Sequence, residues 1–144
     1  MKNDVHDAAA ERLRRAGQRY SANREALVET LRNATKPLTI PEILKTNRTL
    51  PMSSAYRNLA ILEQAGVVHR IVTRDEFARY ELAEDLTTHH HHLICVSCGG
   101  VEDFTAPSRF EESATSALGK VASKAGFTIR SHRLDVLGLC KTCA

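Results

Sequence analysis

Four cysteines are arranged as two Cys-x-x-Cys pairs, and their separation constrains the fold more than any other feature of the sequence. Cys95 and Cys98 form the first pair. Cys140 and Cys143 form the second, after a gap of 41 residues (positions 99–139). Under reducing conditions such pairs supply four thiolates, the ligand set of a tetrahedral structural zinc. We therefore predict a four-cysteine zinc site that joins two distant segments, and a redox-active pair is the less favoured alternative.

A run of four consecutive histidines, His89–His92, lies just before the first cysteine pair. A purification tag stands at a terminus, so the internal position of this run argues against a tag. The histidines by themselves leave two interpretations open, a solvated polar run and a set of metal ligands.

The composition is that of a folded protein without a membrane anchor. The chain has 144 residues, of which 42% are hydrophobic, enough for one compact domain or two small ones. It contains no apolar run of about 18 residues and no N-terminal signal pattern. We therefore expect a cytoplasmic protein with no membrane partner.

Charge is distributed unevenly along the chain. Residues 1–80 contain 14 Lys and Arg against 9 Asp and Glu, whereas residues 81–144 contain 6 against 8. A basic half followed by an acidic half that carries the cysteines and the histidine run indicates two modules with different partners. The basic excess is compatible with DNA binding, and it is also common on ordinary protein surfaces.

The first half has the pattern of three helices and a hairpin. Residues 21–34 have helical spacing, a second helix begins at the cap Thr39 with Pro41 in its first turn, and a third runs from a Ser53 cap to Gly66. The β-prone runs "VVHRIV" and "FARYEL" flank the polar tip "TRDE". Three helices followed by a hairpin form a winged helix-turn-helix, whose third helix enters a DNA major groove.

The third helix carries side chains that suit a DNA major groove. If its apolar stripe faces inward, an arginine and an asparagine face outward, and these pair with guanine and adenine edges respectively. Arginines earlier in the chain would add contacts to DNA phosphates. The alternative is that all of these polar and charged side chains lie on ordinary solvated helix faces. The predicted DNA-contacting residues are Ser54, Tyr56, Arg57 and Asn58 on the helix, and Arg12, Arg14, Arg15, Arg19 and Arg24 ahead of it.

The second half of the sequence has the pattern of a small α/β unit that follows a hinge. The polar stretch "LAEDLTT" shows no structural period and is interpreted as a hinge. "HHLICVSC" and "GGVEDF" alternate like strands, and "FTIRSHRLDVLGLC" is predicted to be a final strand. Between them an amphipathic helix is predicted to turn one face inward, formed by Phe110, Ala114, Ala117, Leu118, Val121 and Ala125.

Together these segments resemble the ferric uptake regulator superfamily of metal-dependent repressors, over nearly the whole chain. The resemblance rests on "GQRYSANREALVETL", "SSAYRNLAILEQAGVV", "YEL", "HHHHLICVSCGGVEDF" and "SHRLDVLGLCKTC". It implies an α+β fold with an N-terminal winged helix-turn-helix domain in residues 1–82, a hinge in 83–89, and a small α/β dimerisation domain with the four-cysteine zinc site in 90–144. It further implies a homodimer that binds a double-stranded DNA operator, represses transcription when metal is bound, and is not an enzyme. The zinc uptake branch is the most similar.

The same resemblance implies a sensory metal site beside the hinge. His90 and His92 match two of its ligands, Glu81 in "YEL" matches the acidic one, and His69 matches a position that zinc-type members fill with His or Asp. Iron- and peroxide-type members usually have a further histidine where this chain has "KPLT". The four remaining ligands suit tetrahedral zinc, so we expect zinc, with iron or manganese as the alternative.

A second metal site inside the C-terminal domain is implied in the same way. Alternate residues of a strand share a face, so His89 and His91 would turn away from the sensory site. Asp103 either orients a ligand or binds metal directly. The ligands predicted for this second site are His89, His91, His132 and Glu111, with Glu112 as the alternative to Glu111.

Other functions are weaker interpretations of the sequence. A catalytic zinc with Glu81 or Asp103 as general base would need an open coordination position, and no phosphate loop supports an enzyme. A peroxide-responsive regulator is a near alternative, and a zinc-buffering or scaffold protein without regulated DNA binding is a remote one. Glu84 and Asp85 are less favoured substitutes for Glu81, and His6 is expected at the surface without a role.

Overall fold

The computed structural model describes residues 2–73 and 77–144, with side chains from residue 4 onward. In this part of the chain no helix is long and apolar enough to cross a membrane. The elements in chain order are α1 (Lys2–Arg15), α2 (Ala22–Asn33), β1 (Leu38–Thr39), α3 (Ile40–Thr46), α4 (Met52–Gln64), β2 (Val68–Val72), β3 (Ala78–Leu82), a 3₁₀ turn (Glu84–Leu86), β4 (His91–Cys95), β5 (Val101–Phe104), α5 (Ser108–Lys124) and β6 (Asp135–Gly138).

The predicted order of three helices and a hairpin is confirmed. Helices α2, α3 and α4 contact one another, and β2 and β3 pair antiparallel in a sheet of order β1-β3-β2. Most of the hairpin tip "TRDE", residues 74–76, lies outside the described residues. One core joins these elements to α1, and its fully buried members include Leu13, Leu27, Val28, Ile43, Leu59, Leu62 and Val67.

One predicted helix cap is confirmed and another is wrong. Thr39 caps α3 in a reciprocal capping box with Glu42, and Pro41 lies in the first turn. Helix α4 instead begins one residue before Ser53, directly after Pro51, without a side-chain cap. The fixed φ of proline already leads the chain toward the helix, so the serine lies inside the first turn and remains exposed.

A second three-stranded sheet has β4 at its centre. Strand β4 pairs antiparallel with β5 and parallel with β6, and α5 makes the crossover between β5 and β6. The final strand expected across residues 127–140 is present but shorter than predicted, because only Asp135–Gly138 pairs with β4. The C-terminal unit is therefore small.

Most of the α5 face that was predicted to point inward is exposed. Phe110 is 44% exposed and Val121 is 65% exposed, whereas Ala122 is buried. Nearby apolar side chains outside the helix are open as well, since Phe127 is 70% and Leu137 is 66% exposed. The predicted inward packing is thus wrong for the single chain, because a sheet of three short strands covers too little of the helix.

The segment between the two sheets contains a short regular element that the sequence did not indicate. Residues Glu84–Leu86 form a 3₁₀ turn. It is joined to the helical unit by the N–H of Ala83, which donates to the carbonyl of Val67 at 2.9 Å. The segment therefore has a defined conformation rather than that of a structureless linker.

Candidate metal centres

The four cysteines converge at the end of the second sheet. Their sulfur atoms all lie within 4.8 Å of one another, and those of Cys98 and Cys140 are 3.8 Å apart. Zn–S bonds of about 2.3 Å produce tetrahedron edges of roughly 3.8 Å, so the spacing fits a tetrahedral metal site. Strand β4 delivers the first pair at its end, and the turn after β6 delivers the second. All four cysteines are free of disulfides.

The electrostatics of this cluster favour thiolate at its most buried member. The N–H groups of Cys140 and Cys98 point at the Cys95 sulfur from 3.4 and 3.5 Å, and they lower the pKa of Cys95 to about 6. The contact with Cys140 contributes most to raising the pKa of Cys143 to about 11. A bound dication would take the place of the protons that these thiols share.

The pleat of β4 divides the histidine run into two pairs. The rings of His89 and His91 have centroids 4.6 Å apart, and those of His90 and His92 are 5.1 Å apart. Residues i and i+2 of an extended chain share a face. The two pairs therefore belong to two separate clusters of potential ligands.

The first of these, termed the hinge cluster, consists of Glu81, His90, His92 and Asp103, each with one potential ligand atom within 4.8 Å of the others. Carboxylate oxygens of Glu81 lie 2.9 Å from His90 Nε2 and 3.0 Å from His92 Nε2. Asp103 is opposite His92 in the register of β4 and β5, and its oxygen lies 3.5 Å from His92 Nε2. Asp103 is therefore close enough to the other three side chains to bind the same metal ion directly. Because Glu81 belongs to β3, the cluster spans the hinge.

The other ring nitrogens of the hinge-cluster histidines have partners of their own. His90 Nδ1 lies 2.9 Å from the carbonyl oxygen of Thr88, and His92 Nδ1 lies 3.2 Å from a carboxylate oxygen of Asp135. Contacts of this kind fix the ring orientation and the tautomer of a metal-ligating histidine. They leave both Nε2 atoms directed at the carboxylates, which is the arrangement that a metal ion needs.

His69 lies beside the hinge cluster, but the structure does not bring it into the group of four. It faces Glu81 across the hairpin, so both side chains project on the same side. Its buried Nε2 has no hydrogen-bond partner among the described residues. A cavity of about 190 Å³ joins it to Glu81, His90 and His92. Because a buried nitrogen without a partner is costly, this atom fits the role of an additional ligand.

A second, larger polar cavity also borders the hinge cluster. Its volume is about 480 Å³, and its walls include Lys36, Arg32, Glu81, His90 and Asp103. Lys36 belongs to the "KPLT" segment. This segment lacks the histidine that iron- and peroxide-type members usually have there. The wall of this cavity therefore includes a lysine, and the segment contributes no imidazole ligand.

The ionisation of the hinge cluster reflects mutual stabilisation. Burial would raise the pKa of Glu81, but hydrogen bonds from His92 and His90 outweigh it, so the pKa is lowered. Burial would lower the pKa of His92 and of His90, yet contacts that include Glu81 raise both. Burial and the charge of Glu81 raise the pKa of Asp103. The carboxylate of Glu81 and the two imidazoles therefore stabilise one another's charged forms.

The same environment favours the neutral form of His69. Burial, followed by the charge of Arg133, lowers the pKa of His69. A neutral imidazole is the form that binds metal. Burial therefore favours the form of His69 that a metal ion requires.

The second group, termed the C-terminal cluster, consists of His89, His91, Glu111 and His132, again within 4.8 Å of one another. The oxygens of Glu111 lie 2.5 Å from His91 Nε2, 3.1 Å from His132 Nε2 and 3.3 Å from His89 Nε2. His91 is almost fully buried, and its ring stacks on His132. The structure brings together the four residues expected here, and it selects Glu111 over the neighbouring Glu112.

The expected DNA-contacting residues divide into exposed and internal groups. On α4, Tyr56 is 55% exposed and Arg57 is exposed, whereas Ser54 is half-buried. The expectation that Asn58 faces outward is wrong, because it is 7% exposed and its Oδ1 accepts a 2.9 Å hydrogen bond from Arg24 Nε. This contact joins α2 to α4.

The arginines near the N-terminus also have partners within the chain. Arg24 Nη1 donates to the carbonyl of Arg19 at 2.6 Å, which fixes its guanidinium group internally. Arg14 and Arg15 pair with Glu11 on the same helix at 2.7 and 3.1 Å. Arg19 is exposed, so it is the most available of these cations. Arg12 is tied to the hinge, as described below.

Sequence reasoning missed several polar contacts of this region. Asp135 was not identified because only the strand register places it beside His92. The Thr88 carbonyl was not identified because residue types give no sign of a contact with the main chain. His6 was expected to have no role, yet its Nδ1 lies 2.5 Å from the Tyr20 hydroxyl and its Nε2 lies 2.7 Å from Glu29. These contacts fasten α1 to α2, and an isolated histidine in a charged helix gives no sign of them.

Comparison with known proteins agrees with this architecture. The family model described as "Ferric uptake regulator family" matches residues 15–137. The peroxide operon regulator of Bacillus subtilis is 29% identical over 140 residues, covering 94% of this chain and 91% of its own length. The ferric uptake regulation protein of Campylobacter jejuni is 30% identical over 154 residues, covering 99% of this chain and 93% of its own.

A solved structure shows the same fold. The ferric uptake regulator of Helicobacter pylori, whose structure is described as revealing three functional metal binding sites, superposes with a TM-score of 0.73 at 25% identity. The match covers 99% of this chain and 93% of that protein. The similarity therefore extends through both units of the chain and the hinge between them.

Proposed function

This chain belongs to the ferric uptake regulator family, and from that premise we propose that it is a zinc-responsive repressor of metal-uptake genes. The coarser part follows from the family itself. The protein is a metal-responsive transcription regulator and not an enzyme. The identity of the metal, the assignment of ligands and the division into domains at residues 82 and 90 are our proposals.

One observation carries the proposal, namely that the hinge cluster draws its ligands from both sides of the hinge. Glu81 is on the wing of the helical unit, whereas His90 and His92 lead into the central strand of the second sheet. A group bound between them restricts the angle between the two units. A ligand shifts such an equilibrium only by its preference for one state, and a preference of about 100-fold corresponds to about 2.7 kcal/mol.

Zinc is supported by the unused nitrogen of His69. With His69, the available set is three imidazoles and Glu81, and four ligands of this kind suit tetrahedral zinc. Bound zinc would supply a positive centre that takes the place of the imidazole protons. The chain's own part is to orient His90 and His92 through Thr88 and Asp135.

The other two clusters are also proposed to bind metal, which gives three metal sites in all. The Cys95, Cys98, Cys140 and Cys143 sulfurs would hold a structural zinc that closes the C-terminal unit. The C-terminal cluster would hold a further ion within that unit. Its three imidazoles and one carboxylate also match the preferences of zinc.

DNA binding is assigned to α4, with the chain acting as a homodimer. Tyr56, Arg57 and Ser54 are proposed to contact the operator, with Arg15 and Arg19 on the phosphates. Arg24 and Asn58 are left out, because each satisfies the other inside the fold. The exposed apolar side chains of α5 and β6 are proposed to meet the same surface of a second copy.

The test is operator binding under buffered metal. Protein that keeps the cysteine-bound metal but has lost all other metal would be titrated with free Zn, Mn or Fe(II). Fluorescence anisotropy would follow binding to a labelled promoter of a zinc-uptake operon. We expect zinc alone to tighten binding at very low free concentration. Sequence-blind binding without a response to metal would contradict the proposal and favour the zinc-buffer or scaffold interpretation.

A second candidate, an iron-, manganese- or peroxide-responsive regulator, is favoured by the position of Asp103. Two imidazoles and two carboxylates form an oxygen-rich set that suits Fe or Mn better than zinc. The variants His69→Ala and Asp103→Ala separate the candidates. A zinc sensor should lose its metal response mainly with His69→Ala, whereas an iron or manganese sensor should lose it mainly with Asp103→Ala. Histidine oxidation after mild peroxide in iron-loaded protein would identify a peroxide sensor.

A further inference from the structure

Two adjacent acidic residues in the 3₁₀ turn of the hinge face in different directions. The carboxylate of Glu84 contacts Nδ1 of His89, which belongs to the C-terminal cluster. The carboxylate of Asp85 instead accepts two hydrogen bonds from Arg12 on α1, at 3.1 and 2.6 Å. One short turn thus touches both a candidate metal site and the helical unit.

The contact on the Arg12 side is a three-way junction. Nη1 of Arg12 also donates to the carbonyl of Gly66 at 2.7 Å. Gly66 has φ 79° in the bend between α4 and β2, and it lies next to Val67, whose carbonyl receives the N–H of Ala83. The guanidinium group therefore joins α1, the bend that follows α4, and the hinge. The hydrogen bonds from Arg12, aided by its charge, correspondingly lower the pKa of Asp85.

The contact on the Glu84 side determines which nitrogen of His89 can bind metal. With Nδ1 held by Glu84, the free nitrogen is Nε2, which lies 3.3 Å from Glu111. A carboxylate on the far nitrogen of a ligating histidine fixes the ring orientation and strengthens the ligand. Glu84 is therefore placed as a positioning residue for the C-terminal cluster, although it belongs to the hinge.

We propose that the turn Glu84–Leu86 couples the C-terminal cluster to the DNA-binding unit. Glu84 orients His89 for metal, and the Arg12–Asp85 pair holds the same turn against α1 and Gly66. Metal at the C-terminal cluster then stabilises the turn in the position that this junction accepts. Coupling between two sites is reciprocal, so breaking the junction must weaken metal binding at a cluster that it does not touch.

This inference rests on the proposed function, because it requires the C-terminal cluster to bind metal. The test isolates that cluster in a His90→Ala/His92→Ala background with the cysteine site loaded. Zinc affinity is measured there by competition with a chromophoric chelator, without any DNA. The variants are Glu84→Ala, Glu84→Gln, Asp85→Ala and Arg12→Ala. Arg48→Ala and Glu102→Ala serve as controls that remove an exposed cation and an exposed carboxylate elsewhere.

The expected effects differ in size. Loss of a carboxylate that orients a ligating histidine lowers metal affinity about 10-fold or more, so Glu84→Ala should show the largest loss. Glu84→Gln, which still accepts from Nδ1–H, should recover part of it. Asp85 is 68% exposed, so Asp85→Ala and Arg12→Ala should each lower affinity by only about 2- to 5-fold. The two controls should match the parent.

Each alternative result overturns a definite part of the inference. Affinity unchanged in Glu84→Ala would remove the positioning role. Affinity lost in Glu84→Ala but equal to the controls in Asp85→Ala and Arg12→Ala would remove the coupling to the DNA-binding unit. A parent that binds no zinc beyond the cysteine site would overturn the inference entirely. The proposed function would survive that last result if the unmodified protein still tightened on DNA with metal.

Discussion

The two units of this protein are stabilised in different ways. Nearly all of the buried apolar side chains lie before residue 83, and among the described residues after it only Cys95, Val101 and Ala122 join them. The second unit instead holds two of the three ligand clusters entirely, as well as the larger apolar side chains left exposed on α5 and β6. A unit of about 55 residues buries little apolar surface on folding, so its stability alone is marginal. The first unit has a core of its own, whereas we expect the second to depend on bound metal and on a partner surface.

The largest expected effect comes from removing the cysteine site. In Cys95→Ser the C-terminal unit should unfold and the dimer should dissociate, because structural zinc contributes about 10–16 kcal/mol of apparent binding energy in small metal domains. Helices α1 to α4 should remain folded on their own core. Circular dichroism and size-exclusion chromatography would measure both outcomes. Thr142→Ala, an exposed change between the last two cysteines, is the control, and the comparison fails if the two variants behave alike.

A charge placed on the exposed apolar face of α5 tests whether a partner surface stabilises the second unit. Val121→Glu would bury an unpaired carboxylate in the proposed dimer contact, at a cost of about 3 kcal/mol or more, which raises the dimer Kd over a hundredfold. The monomer should keep its fold, because Val121 is 65% exposed in the single chain. Analytical ultracentrifugation would measure the dissociation. Ser123→Glu adds the same charge at a neighbouring polar position, and equal weakening by both variants would place the contact elsewhere.

The hinge cluster joins the two units, and its loss should affect response rather than folding. His90→Ala should give a folded dimer with the cysteine site filled, but metal should no longer tighten operator binding by the ~100-fold that a preference of about 2.7 kcal/mol provides. Anisotropy titrations at buffered zinc would show the change. If His90→Ala lost its fold together with its response, as is expected of Cys95→Ser, the distinction between structural and sensory sites would not hold.

How far the sequence could predict this molecule also differs between the units. The helical unit follows local rules, such as the Thr39 capping box and the apolar spacing of α4, so its elements could be predicted. The exception is Asn58, whose burial depends on Arg24 of another helix, 34 positions earlier. No local pattern distinguishes that asparagine from one that reads DNA.

In the second unit the cysteine spacing and the histidine alternation carried most of the information. The pairing of His92 with Asp103 and with Asp135 depends on the register of β4 with both of its neighbours. Register between distant strands cannot be obtained from residue types alone, which is why Asp103 remained ambiguous and Asp135 was missed. The exposed face of α5 was predicted to be internal because hydrophobic periodicity does not distinguish a core from a surface that meets a second chain.

Acidity should weaken metal binding at the hinge cluster. The raised pKa values of His90 and His92 mean that both imidazoles hold protons at a higher pH than an ordinary histidine, and metal must displace them. As pH falls through those values, apparent metal affinity should drop by up to about tenfold per pH unit for each displaced proton. Zinc titrations between pH 8 and pH 6 would measure the slope. A flat profile would mean that these imidazoles are not ligands.

The smallest effect lies wholly inside the first unit. Asn58→Ala removes the acceptor of Arg24 from a buried position, so the free energy of unfolding should fall by about 1–3 kcal/mol while the second unit keeps its metal. Arg57→Ala, the exposed neighbour, should leave stability unchanged and weaken DNA binding in a salt-dependent way. Chemical denaturation and anisotropy would be measured on both variants. If Asn58→Ala instead changed the base preference at constant stability, Asn58 would belong to the DNA-binding surface. The core of the helical unit would then lack the polar contact between Asn58 and Arg24 that is inferred for it.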